Sequence, residues 1–266
     1  MPYTSISGLH HVLREFGISY QRARPYIHSP DREYKQKEAF LHQILQNRIP
    51  IQEEVLFQDE FTFYAEASLA KDFAPIGRQP LQRWAYKNKD KRICATMNAF
   101  TGEVHAMIAP KIGIDAFVEF LQQLQEQYPK AQTIYMVVDN CPVHFHPDVQ
   151  ATLQEQIHDF ELHLPSSWRN VQPKEKFKQL DLNVQMVPLP TYASWLNPIE
   201  KLWKLLNQEV IHLHRIPNHF KELVGKVQEW FEQFENASDR LLSFCGLKKP
   251  NSIFAKDIII NRNRSG

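Results

Sequence analysis

Three carboxylates in this chain stand where a side chain can reach out of a core instead of filling it. Asp139 ends the apolar run Tyr135-Met136-Val137-Val138, Asp59 lies inside Val55-Leu56-Phe57-Gln58-Asp59-Glu60-Phe61, and Glu200 opens a helical stretch in Asn197-Pro198-Ile199-Glu200. Carboxylate oxygens are hard ligands, and three that converge would suit Mg2+ or Mn2+ better than zinc. Each also has a plain structural reading. Asp139-Asn140 ahead of Pro142 makes an ordinary turn after a strand. With Asn197 as N-cap and Pro198 at the first helical position, Glu200 falls where it would complete a capping box. On a strand, Asp59 shares a face with Phe57, Phe61 and Phe63, while Leu56, Gln58, Glu60 and Thr62 take the other. A carboxylate in that row is costly to bury unless a cation compensates it or the strand end reaches water.

Rival chemistries have less support. His144-Phe145-His146 and His212-Leu213-His214 lack the spaced third ligand a zinc site needs. There is no Gly-rich phosphate loop, which argues against nucleotide-driven chemistry. The three cysteines, Cys94, Cys141 and Cys245, form no paired spacing, which points to a reducing compartment and not to a disulfide framework. The N-terminus lacks the pattern of a signal peptide, and no apolar run approaches a membrane span. The expectation is a soluble cytoplasmic protein.

The elements that must position these residues follow from periodicity. Residues 55–64 read as a strand, and 92–99 and 104–109 as a hairpin around Thr101-Gly102. Residues 114–128 read as a helix with Phe117, Phe120, Leu121 and Leu124 on one face. A buried strand at 133–138 delivers Asp139 at its carboxyl end, where ligands gather in open α/β sheets. A helix over 147–157, a polar segment near 165–181, a strand at 184–189 and a helix from Asn197 complete the order. That last helix carries the apolar stripe Leu196, Ile199, Trp203, Leu206 and Val210, with Glu200 beside it. The expected fold class is α/β: a ribonuclease-H-like domain, a mixed central sheet flanked by helices, preceded by a partial helix-turn-helix. In that piece Leu9, Val12, Leu13 and Phe16 are helically spaced, Gly17 is the stop, and a short basic helix bears Arg22 and Arg24. A charged helix within residues 30–48 joins it to the rest. The boundaries read as 1–50 for the helix-turn-helix and linker helix, 51–235 for the ribonuclease-H-like domain and 236–266 for a basic tail.

The net charge is only +1, but it is unevenly placed. Lys and Arg outnumber Asp and Glu by 7 to 4 over residues 1–50 and by 11 to 7 over residues 201–266, while residues 51–200 carry 13 against 19. An acidic centre between basic ends fits a metal-binding core with flanks that contact nucleic acid.

Asp139-Asn140-Cys141-Pro142-Val143-His144 after a strand, then Leu189-Pro190-Thr191-Tyr192-Ala193-Ser194-Trp195-Leu196-Asn197-Pro198-Ile199-Glu200-Lys201-Leu202-Trp203, resembles the DDE superfamily endonucleases. Within these it is most similar to DDE-type transposases of bacterial insertion sequences in the mariner-like superfamily. The likeness runs over residues 55–206 and, more weakly, back to residue 5 through Ser29-Pro30-Asp31. It implies that Asp59, Asp139 and Glu200 are catalytic and hold two Mg2+ (or Mn2+) ions. Glu60, Asn140, His144 and Asn197 would then orient the ligands. It further implies cleavage of double-stranded DNA at element ends and joining of the freed 3′-hydroxyl to target DNA. A homodimer in the synaptic complex and a nucleoid-associated location go with that role. Pro75-x-Gly77 ahead of Arg78 and Arg83 matches a segment expected near DNA. With Arg22, Arg24, Tyr192 and Trp195, these arginines make up the expected DNA contacts.

The chain departs from the family pattern in two places. Ser194-Trp195-Leu196-Asn197-Pro198 is one residue shorter than the usual Ser-Pro-Asp-Leu-Asn-Pro. The separation of Asp139 and Glu200 is longer than usual, the excess being assigned to a surface insertion at 165–181. The resemblance also implies further DNA-binding helices upstream of residue 1. These points keep an alternative open, a truncated or catalytically inactive remnant that only binds DNA. A structure-specific nuclease on the same fold would cut without joining.

Overall fold

The computed structural model describes residues 5–19, 29–69, 71–82, 84, 86–87, 89–162, 164–168, 170–212 and 214–248. Five strands form one mixed sheet: β1 (Glu53–Tyr64), β2 (Asp90–Asn98), β3 (Val104–Ala109), β4 (Thr133–Val138) and β5 (Val184–Pro188). Their order is β3-β2-β1-β4-β5. β1 pairs antiparallel with β2 and parallel with β4; β2–β3 is antiparallel and β4–β5 parallel. The alternation in the sequence sorts the two faces. Val55, Phe57 and Phe63 of β1 and Tyr135 and Val137 of β4 enter one core, and Leu56, Ile134, Met136 and Val138 enter the other. Strands buried on both faces are what parallel pairing in the middle of a sheet requires.

The first core is closed by α2 (Tyr34–Asn47), α6 (Glu200–Leu206), α7 (Phe220–Glu232) and α8 (Asp239–Cys245). The second lies under α3 (Ile114–Gln127), whose Phe117, Phe120, Leu121 and Leu124 are all buried, as their spacing predicts. At the β2–β3 turn Gly102 adopts φ +70, and a Cβ there would meet the Ser238 carbonyl at 2.7 Å. That close approach lets the Ser238 amide donate to the Thr101 carbonyl and seats the start of α8 on the hairpin.

Four expectations change. The helix expected over 147–157 is a single turn, α4 (Pro147–Gln150). Beyond it the chain runs along β5, an edge strand whose backbone needs partners. The Gln154 amide donates to the Leu182 carbonyl, and the Gln156 side chain accepts from the Met186 amide and donates to the Val184 carbonyl. The segment 165–181 is more than a surface insertion. Its one-turn helix α5 (Glu175–Lys178) buries Phe177 in the second core, and the Lys174 amide donates to the buried Asp148. The helix expected from Asn197 begins at Glu200. Finally, the packing ends at neither 50 nor 235. Leu41, Ile44 and Leu45 of α2 and Leu241, Leu242 and Cys245 of α8 belong to the same core as β1.

At the N-terminus α1 (Ile6–Glu15) forms as expected, with the Ser5 hydroxyl accepting from the Gly8 amide and Gly17 at φ +70. None of its residues is buried. The second helix of the expected helix-turn-helix, with Arg22 and Arg24, lies outside the described residues, as do Arg83 and residues 249–266. Among the described residues no helix is long and apolar enough to cross a membrane.

Candidate metal and nucleic-acid site

The central strand supplies Asp59 and, on the opposite face, Glu60. The Asp59 carboxylate accepts from the Trp203 indole N–H at 2.8 Å and from the Glu60 amide at 2.9 Å. Burial among apolar groups pushes its pKa up to about 7, and the charges of Glu60 and Asp139 add to the rise despite those two donors. The strand-face expectation holds. Asp59 is the one charged group in a row with Phe57, Phe61 and Phe63, and the Phe61 ring stacks on Trp203 at 5.2 Å.

Asp139 leaves the carboxyl end of β4, the strand hydrogen-bonded to β1. Its Oδ1 accepts from the Cys141 amide at 2.8 Å and lies 3.3 Å from His144 Nδ1. Burial raises the Asp139 pKa, but the hydrogen bond and charge of His144 outweigh it and hold the carboxyl below its ordinary value. His144 is fully buried, and its Nε2 reaches Glu60 Oε1 at 2.9 Å. Burial alone would lower its pKa; the two carboxylates reverse this and push it up to about 10. The ring lies between the two carboxylates and ties the end of β4 to the far face of β1. Ligand atoms of Asp139, Cys141 and His144 fall within 4.8 Å of one another, yet both ring nitrogens of His144 already face carboxylates, Nδ1 that of Asp139 and Nε2 that of Glu60.

Glu200 opens α6, and the start of that helix is tied to β1. The Asn197 side chain donates to the Gln58 carbonyl at 3.0 Å, and Trp203 donates to Asp59. The two contacts fasten the start of α6 to β1, with Glu200 three residues from each. The capping-box reading fails on geometry. Glu200 is the first helical residue, Ile199 is the N-cap, and no side chain caps the helix. The Glu200 carboxyl is raised by partial burial and steadied by the Ser194 hydroxyl.

The remaining expected residues are placed as follows. Asn140 donates to the Leu189 carbonyl at 2.6 Å, joining the ends of β4 and β5 instead of turning to a carboxylate. Tyr192 is 77% exposed at φ +56, whereas Trp195 packs partly against the first core. Arg78 is exposed in the β1–β2 connection, its amide donating to the Pro75 carbonyl. Sequence reasoning missed Gln58, Ser194 and the indole of Trp203 as parts of the site. Only Trp203 left a signal, since a residue three after Glu200 faces the same side of a helix.

The donor chemistry of Asp59, Asp139 and Glu200 suits a divalent cation, although among the described residues their ligand atoms do not all lie within 4.8 Å of one another. The carboxylates are hard oxygens at a negative cluster whose repulsion already shows in Asp59. Asn197 Oδ1, on the residue that ties the start of α6 to β1, is also a buried acceptor with no partner among the described residues, as expected beside a bound water.

Comparison with known proteins bears on the family and the fold. The DDE superfamily endonuclease family matches residues 54–224. The chain belongs to that family. A relative from Shigella sonnei, the insertion element IS630 uncharacterized 39 kDa protein, is 23% identical over 216 residues. That alignment takes in 81% of this chain and 55% of the relative, so the chain spans about half the length of its curated relative. Among solved structures, the Mos1 mariner paired end complex with Mn superposes with a TM-score of 0.60 at 16% identity, over 95% of this chain and 69% of that one. The Mos1 transposase catalytic domain with raltegravir and Mg gives 0.52 at 14% identity, over 88% and 95%. The DDE endonuclease fold is thus the ribonuclease-H-like one expected from the element order, with the strands of both elements in the family match carrying Asp59 and Asp139.

Proposed function

We infer that this DDE endonuclease is a transposase: a metal-dependent enzyme that cuts DNA at the ends of an insertion sequence and joins the freed 3′-hydroxyl to target DNA. What carries the reading is Asp59, a carboxyl raised to about 7 by burial and by the charges of Glu60 and then Asp139, and tied by Trp203 to the helix that begins with Glu200. In this reading Asp59, Asp139 and Glu200 hold Mg2+ or Mn2+, two ions in all. Bound there, the cations neutralise charge on the reacting phosphate and its attacking and leaving oxygens.

The chain's own groups do the positioning. Trp203 fixes one oxygen of Asp59. His144 keeps Asp139 ionised and bridges it to Glu60, offsetting the repulsion between the two carboxylates. Ser194 steadies Glu200, and the free oxygen of Asn197 accepts from water. Arg78 and Tyr192, both exposed, are suited to a phosphate and to a base or sugar respectively. The partner is double-stranded DNA, held by a homodimer, in a cytoplasmic, nucleoid-associated setting.

The test is incubation of the purified protein with duplexes carrying the inverted repeats that flank its reading frame, in Mg2+ or Mn2+. Nicked ends and joined products are expected. Retention of end binding without nicking in Mn2+ would favour the inactive remnant, and cutting without joining would favour a nuclease.

A further inference from the structure

The loop from Leu189 to Asn197 carries Ser194 to the Glu200 carboxyl, and it is fixed at three places. At its start the Leu189 amide donates to Val138 and the Leu189 carbonyl accepts from Asn140. At its end Asn197 holds β1. The middle is gripped by residues far away in sequence and outside the sheet. The Ser29 hydroxyl donates to the Thr191 carbonyl at 2.5 Å, and Asp31 Oδ2 accepts from the Thr191 amide at 2.9 Å.

Asp31 is itself held. Oδ1 accepts from the Glu33 amide at 2.8 Å, and Lys37 Nζ donates at 2.9 Å to Oδ2, the oxygen that holds Thr191. The Lys37 and Asp31 side chains are 1% and 4% exposed. Burial opposes ionisation of Asp31, but the Thr191 amide, Lys37 and the Glu33 amide outweigh it, and the carboxyl stays below its ordinary pKa. A buried ion pair contributes little net stability and is demanding in geometry. Such a pair is well suited to fixing one conformation. The residue next to the grip, Tyr192, stands at φ +56, which a bulky side chain keeps only where its surroundings hold it.

We propose that Ser29 and Asp31 are positioning residues of the active site: they clamp Thr191 and so set the loop that presents Ser194 to Glu200. The inference rests on the reading of Glu200 as a metal ligand. It assigns the segment ahead of α2 a role in the geometry of the third carboxylate.

The experiment compares Ser29→Ala, Ser29→Thr and the double variant Asp31→Leu/Lys37→Met with the wild-type chain. The double change removes both charges together, which avoids stranding a buried one. Hydrogen exchange is followed in the metal-free proteins, and Mn2+ affinity is titrated by electron paramagnetic resonance. Ser29→Ala and the double variant should speed exchange at Thr191, Ala193, Leu196 and Asn197 while β4 and β5 keep their protection. Their Mn2+ affinity should fall on the order of tenfold, as when groups that orient metal ligands are lost. Ser29→Thr, which keeps the hydroxyl, should retain both properties.

Unchanged loop exchange overturns the proposal, and so does a loss of protection spread equally through β4 and β5. A loosened loop with wild-type Mn2+ affinity overturns it too, because the clamp would then serve the fold alone. A wild-type chain that binds no Mn2+ overturns the metal reading of Glu200 and this inference with it, and that control separates the two failures.

Discussion

Trp203 and Asp59 are 144 residues apart in the chain, and the indole of one donates to the carboxylate of the other at 2.8 Å. The contact joins the helix that begins with Glu200 to the central strand. The same indole stacks on Phe61, with ring planes 14° apart. Packing and hydrogen bonding are therefore separable. Trp203→Phe should keep most of the stacking and lose the donor, costing about 1–2 kcal/mol in urea denaturation, as expected for a hydrogen bond to a carboxylate. Mn2+ affinity should fall as well, because only the Glu60 amide then orients Asp59 and its Oδ2 is left without a donor. Unchanged stability and metal binding would remove Trp203 from the site.

The raised pKa of Asp59 makes a signed prediction about pH. Ionising this carboxyl is harder in the folded chain than in the unfolded one. Metal-free stability therefore declines as pH climbs above the ordinary value of 3.8, and the decline levels off beyond about 7. A bound cation reverses the preference, so the rise in Tm caused by Mn2+ should grow from pH 5.5 to pH 8. His144 contributes with its own sign. Its stabilisation is complete below 6.5 and is lost as pH rises through about 10, so above neutrality it too lowers metal-free stability. Asp59→Asn distinguishes the two, since it should abolish the decline below pH 7 and leave the alkaline one. A Tm shift with Mn2+ that does not vary with pH would contradict the assignment.

His144 bridges Glu60 and Asp139, so His144→Gln trades a cation for a neutral amide between two acids. The exposure of Asp139 lets water screen part of the repulsion, and the expected loss is roughly 1–3 kcal/mol in chemical denaturation. Added Mg2+ should recover part of it. A variant as stable as the wild type, with or without metal, would mean that the bridge does not hold the strand ends together.

Much of this was legible in the sequence. Alternation in β1 placed Asp59 against the phenylalanines, the apolar run before Asp139 located β4, and of the stripe from Leu196 to Val210 the residues Trp203 and Leu206 lie on the buried side of α6, while Leu196 precedes that helix and Val210 follows it. The start of that helix was misread because Asn-Pro-x-Glu is also a sound capping pattern. Tertiary contact decided otherwise, since Asn197 has the Gln58 carbonyl to satisfy. The short α4 was missed for a similar reason: the demand of the β5 edge for partners is invisible in helical periodicity. The grip of Asp31 on Thr191 spans 160 residues, and no local pattern reports it.

Glu200 gives the test that matters most. With the helix beginning at this residue and no side chain capping it, its carboxylate is not committed to the backbone. Glu200→Gln keeps the shape and can still meet the Ser194 hydroxyl. Because the folded chain already raises this carboxyl through partial burial, removing the charge should leave stability unchanged or slightly higher at neutral pH and above. A hard cation, in contrast, loses an anionic oxygen. Nicking of element-end DNA should then fall to background in Mg2+, while end binding at moderate salt persists through the basic surfaces. The measurement pairs a thermal melt with a single-turnover nicking assay on one preparation. A Glu200→Gln chain that nicks at near wild-type rate would show that this carboxylate, for all its placement between Asn197 and Trp203, takes no part in the chemistry.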